Sequence, residues 1–236
     1  MSMMRRLPVR DDRRRKIILA RICRTGALDT DYGRHLMDAG LKARTQDLDL
    51  RFTAVLRTCT NAHALQKDTS AQFNRVLAPL KKVLRLFIQG LKQNGAANEL
   101  SVAYLALFDL NGGKAPSPTA RQDWVELAEF LVEREQLAVS KGFPAMIQPS
   151  VDGLAQLLTP ADEACRNENA AALELVSARA DLKQIREEIN QLINEVAAYL
   201  NYKLKYMKPS QRRDIMRRYG FSFQGDPKPE PEASST

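Results

Sequence analysis

Two long stretches of this 236-residue chain repeat apolar residues at alternating steps of four and three. That spacing lies close to one helical turn, so each stretch lays its apolar side chains along one face of a helix. The first stripe runs Leu48, Phe52, Val55, Cys59, Ala62, Gln66, Thr69, Phe73, Val76, Leu80, Val83 and Phe87. Charged residues such as Arg51, Arg57, Lys67, Asp68, Lys81 and Arg85 fall between. Gln66 and Thr69 break the apolar seam, a device that fixes register or marks a bend. Pro79 predicts a kink, because it removes one backbone donor and crowds the preceding turn.

The second stripe runs from Ala164 through Leu175, Leu182, Ile185, Ile189, Leu192, Val196 and Tyr199 to Tyr206. Thr159 as cap and Pro160 as first helical residue predict its start, and Lys208-Pro209 its stop. With flanks, each helix should cover about 45 residues, or about 65–70 Å at the helical rise per residue. Helices of that length with one wet face need partners to pack on. Shorter helices are predicted over Asp12 to Arg24, Asp31 to Leu41, Asn98 to Leu110 and Thr119 to Lys141. A separate turn of helix is predicted over Ser150 to Leu158, and Ser210 should cap a last helix ending at Gly220.

Only 11 Gly and 11 Pro are present, and no β-branched alternation, which argues against a sandwich or barrel. The expected fold is all-α: an elongated antiparallel helical bundle built on two long amphipathic helices with shorter flanking helices. It divides into a basic N-terminal arm or helix (1–24), the bundle (25–224) and a disordered tail (225–236). The tail has three prolines and no apolar anchor.

Catalytic chemistry finds little support. Three Cys and two His are too few for a zinc array or a disulfide framework. Neither His35 nor His63 follows a Glu by three, so the motif of di-iron bundles is missing. Cys59 and His63 share a helical face, but both read better as packing residues. Gly112-Gly113-Lys114 lacks the rest of a phosphate loop. Glu126, Glu129 and Glu133 beside Arg134 read as a solvated face. The expectation is a non-enzymatic protein without cofactor or metal.

Charge is the better functional lead. The net charge is +8. Residues 1–24 contribute +7, residues 203–218 contribute +6, and the long segment between them −3. Arg5, Arg6, Arg10, Arg13, Arg14, Arg15 and Lys16 form one cluster. Lys203, Lys205, Lys208, Arg212, Arg213, Arg217 and Arg218 form the other. If the long helices are antiparallel, both clusters should meet at one pole, where their fields add. Tyr202, Tyr206, Tyr219, Phe221 and Phe223 interleave with the second cluster, as base-stacking residues do. Tyr199 and Tyr206 also fall on the core stripe, and Phe221 and Phe223 suit a staple that ties the C-terminus to the bundle.

The sequence therefore supports a structural or interaction protein that acts by helical-bundle, coiled-coil-like assembly. Its partner is a second copy or another helical protein, because a single-stripe seam left partly open is closed by a neighbour. Phe73 and Ile189 would lie in that seam. The alternative is binding of nucleic acid or an anionic surface through Arg5, Arg6, Arg13, Arg14, Arg15, Lys205, Lys208, Arg212, Arg213, Arg217 and Arg218. Val102 to Phe108, the longest uncharged apolar run, is far short of the ~20 residues that span a bilayer. Scattered cysteines suit a reducing compartment, and the expected location is cytoplasmic.

Overall fold

The computed structural model of the protein describes residues 11–28, 36–97, 102–110 and 118–223. Six helices follow in order: α1 (Asp12–Leu28), α2 (Ala39–Ala97), α3 (Val102–Leu107), α4 (Arg121–Ser140), α5 (Val151–Lys203) and α6 (Pro209–Arg218). No β-strand forms among the described residues, and the protein is an all-α helical bundle. Arg5, Arg6, Arg10, His35, the Gly112–Lys114 loop and the 225–236 tail lie outside the described residues. So do 31–35 of the helix expected over Asp31 to Leu41, and Leu36 to Asp38 are not helical.

Both long helices exceed the length expected from their stripes, α2 with 59 residues and α5 with 53. Each runs through a proline. Pro79 and Pro160 are exposed, and the carbonyls that lose a partner belong to Arg75 and Gln156, also on the exposed side. Both helices continue through these exposed positions, so neither proline ends its helix. The start expected at Thr159-Pro160 is therefore wrong. Thr159 bonds back to the Ala155 carbonyl at 3.2 Å, inside the helix. The true cap is Ser150, whose hydroxyl accepts the Gly153 N–H at 3.2 Å. At the far end α5 stops at Lys203, a turn before Lys208-Pro209. Pro209, not Ser210, opens α6, its fixed φ suiting the first helical position.

The chain divides into two compact units, residues 1–60 with 177–236 and residues 61–176. Each holds a segment of α2 and a segment of α5.

In unit 1 those two segments are antiparallel. Arg44 pairs with Glu195 and Arg51 with Glu188, so the partner number falls as the first rises. Leu48 and Phe52 of α2 and Ile185, Ile189, Leu192 and Val196 of α5 are buried together. Ile18, Leu19 and Ile22 of α1 close the third side, and Ile215, Met216, Tyr219, Phe221 and Phe223 close the fourth. The expected staple by Phe221 and Phe223 is thus present. It works because Gly220 adopts φ +89°, and a Cβ there would sit 3.2 Å from Ile18 Cγ1 and 3.3 Å from its Cα. Only glycine combines that turn with that approach to α1.

In unit 2, α2 and α5 are antiparallel again: Arg121, at the start of α4, donates to Ser70 and Asn74 of α2 and to Glu168 of α5. Residue 148, just before α5, lies against Gly90. Among the buried residues of α2 here, Phe73, Leu77, Leu80, Leu84, Phe87 and Leu91 again step by four and three, while Val76 and Val83 of the predicted stripe are only partly buried; residues of α3 and α4 share this core. Leu77, Leu84 and Leu91 were not on the predicted stripe. Thr69, in the polar break, bonds the carbonyls of Leu65 and Gln66 in its own helix, so it sets no cross-helix register.

Candidate polyanion interface

The division into units sorts the charge. The described residues of unit 1 hold 20 Lys/Arg against 10 Asp/Glu, a net +10, while those of unit 2 hold 10 against 12. The positive charge of the described residues therefore sits in unit 1.

Its cations are not equivalent. Arg15 is buried, with its guanidinium 2.7 Å from Asp12 and 3.2 Å from Asn190. Arg186 also binds Asp12. Burial works to raise the Asp12 carboxyl, but the hydrogen bond and charge of Arg186, helped by Arg15, hold it below the usual range. Arg15 is thus a structural cation, removed from the set that reaches solvent. Arg14 is half-buried and donates to Ser222, and Arg217 pairs with Asp214 at 2.8 Å. By contrast, Lys205 and Lys208 are exposed and Arg212 and Arg213 half-buried, and no carboxylate among the described residues pairs with any of the four.

The described cations of the two clusters share unit 1 but not one tip. Asp12 and Arg15 lie beside Arg186 and Asn190, which shows that α1 runs parallel to α5. Lys203 is 13 residues beyond Asn190 on the same helix, about 20 Å away at the helical rise. The pole expected from the sequence is instead a surface along unit 1, with α6 and residues 219–222 returning beside α1. There Thr25 meets the Arg218 carbonyl and Arg14 meets Ser222.

The aromatics also separate. Tyr219, Phe221 and Phe223 are core residues. Tyr206, placed by period on the core stripe, is 90% exposed, and Tyr202 is 65% exposed. The cause is the early end of α5. Residues 204–207 turn, Leu204 takes the core position, and Tyr206 swings outward. The ammonium of Lys205 lies 4.6 Å from the Tyr202 ring centre and 4.7 Å from that of Tyr206, and Lys203 lies 5.5 Å from Tyr199.

Cys59 packs against the unit 1 core and His63 is exposed. Among the described residues no three metal-capable side chains gather. Among them, too, no helix is long and apolar enough to cross a membrane. Glu135 of α4, which the sequence reading passed over, is fully buried in unit 2. One oxygen accepts the Met146 N–H at 2.6 Å, and the other has no hydrogen-bond partner. Tyr104 is equally buried with an unpartnered hydroxyl. Burial pushes the Glu135 carboxyl above its usual range, against the Met146 bond. Burial and the charge of Glu135 push Tyr104 up to about 12.

The sign follows from linkage. An acid whose folded pKa is raised binds its proton more tightly when folded, so stability falls as pH rises above about 4.5 and through the folded value. Glu135→Gln keeps an acceptor for Met146 and removes the charge. The variant should lack the decline in stability that Glu135 causes as pH rises above about 4.5, measured by urea denaturation at each pH.

No protein-family model, curated protein or solved structure matches this chain.

Proposed function

We propose that the protein is a binding module without catalytic activity, and that unit 1 docks an extended polyanion, in the first place nucleic acid. The observation that carries this reading is the group Lys205, Lys208, Arg212 and Arg213, four neighbouring cations with no carboxylate partner among the described residues, on a unit whose described residues hold a net +10. Cations so placed release counterions when they meet phosphates, which gives affinity without a shaped pocket. Lys205 to Arg213 also lie in sequence across a helix end and a turn, so they follow a strand rather than enclose a small ligand.

A second reading, assembly with another copy or another helical protein, has its own support. Phe73 and Ile189 are buried inside the chain, so the seam offers nothing. Leu173 and Val176 of α5, however, are 72% and 63% exposed in unit 2, a step of three apart on one helix face. One experiment addresses both readings: mass in solution by light scattering, with and without an oligonucleotide, at low and high salt. Polyanion docking requires a complex at low salt that dissociates as salt rises. Assembly requires an oligomer of the protein alone that survives high salt. A monomer that ignores the oligonucleotide at low salt overturns both.

A further inference from the structure

We infer that the polyanion is single-stranded nucleic acid, and that Tyr202 and Tyr206 take its bases while Lys205, Lys208, Arg212 and Arg213 take its phosphates. This rests on the docking reading above and adds the class of partner. Phosphate contacts alone do not distinguish a single strand from a duplex, heparin or a lipid surface. Exposed aromatic rings beside them do, because only an unpaired base offers a free π face.

Two observations support stacking. First, large aromatic rings are costly to leave in water unless something covers them, yet Tyr206 and Tyr202 are 90% and 65% exposed while their neighbours Tyr219, Phe221 and Phe223 are buried. These two rings contribute no core packing. Second, both rings lie against one cation, at 4.6 and 4.7 Å. The ammonium therefore lies over both rings in the free protein. A base that stacks on either ring displaces it, and the displaced ammonium then meets the phosphate that the base brings with it. Lys208 and, about one turn into α6, Arg212 and Arg213 lie next along the chain for the following phosphates.

A lipid surface fits less well. The turn between Tyr202 and Lys208 exposes no aliphatic side chain able to insert; Leu204 is buried and Met207 half-buried.

The test uses the full chain and four probes: fluorescent oligothymidylate, a duplex of the same length, inorganic polyphosphate and phosphatidylserine vesicles. Affinities are measured at one low salt concentration for the natural protein, Tyr202→Ala/Tyr206→Ala and Tyr202→Phe/Tyr206→Phe. The natural protein should prefer the single strand to the duplex. The alanine pair should lose about tenfold or more per ring on oligothymidylate, with polyphosphate affinity unchanged. The phenylalanine pair should restore binding, since the ring and not the hydroxyl does the stacking. Both residues are exposed, and an unchanged thermal melt establishes that each variant is folded. Equal losses on oligothymidylate and polyphosphate, a preference for the duplex, or tyrosine-dependent binding to vesicles overturns the inference while leaving polyanion docking in place. No binding to any probe overturns the docking reading itself.

Discussion

Phe73→Ala should destabilise the protein by about 3–5 kcal/mol, the usual cost of emptying an aromatic site in a packed core. Phe73 is 1% exposed, packs with Leu77 and Leu80 in unit 2, and carries the Arg121 guanidinium 5.4 Å from its ring centre. The loss therefore combines apolar area, the cavity left behind and the platform for Arg121, which itself ties α4 to Ser70, Asn74 and Glu168. Urea denaturation followed by circular dichroism reads the shift in midpoint. Were Phe73 instead an interface residue, the variant would change the mass in solution and leave the midpoint near that of the natural protein.

The second large effect concerns binding. Changing Lys205, Lys208, Arg212 and Arg213 together to Gln should flatten the salt dependence of oligonucleotide affinity. Each phosphate contact removed takes about 0.7 from the slope of log affinity against log salt for a single strand, so all four remove about 2.8. Thermal stability should change little, because none of the four is buried or paired with a carboxylate among the described residues. Arg15→Gln makes the useful contrast. It breaks the Asp12 cluster and should lower stability, with no direct effect on the slope. A slope unchanged in the fourfold variant shows that the anion lies elsewhere on unit 1.

Much of the fold was readable because burial imposes a period. The stripe residues Leu48, Phe52, Phe73, Leu80 and Phe87, and Leu182 through Val196, are core residues as the pattern implied. Termini were less readable because they depend on single hydrogen bonds. Ser150 and Gly153 hold the cap of α5, three apart, but Thr159-Pro160 offered the louder start signal. The stripe also overran its helix. Period alone carried Tyr206 into the core, whereas the end of α5 at Lys203 turned it out. For the candidate interface, the residue types were legible and their pairing was not. Asp12 stands three residues before Arg15, but Asn190, which accepts from Arg15, and Arg186, which shares Asp12, come from a distant part of the chain, and nothing local announces that they meet this pair.

Pro79 and Pro160 also act against misfolding. Each leaves a carbonyl, on Arg75 or Gln156, without its helical donor, and both of those residues are exposed in the native packing. A helix rolled about its axis by half a turn would carry the orphan oxygen into the apolar interior, at a cost of about 1–3 kcal/mol for a buried acceptor with no donor. The two imino acids thus penalise the wrong roll of long helices whose hydrophobic faces, Ala-rich in places, discriminate weakly on their own.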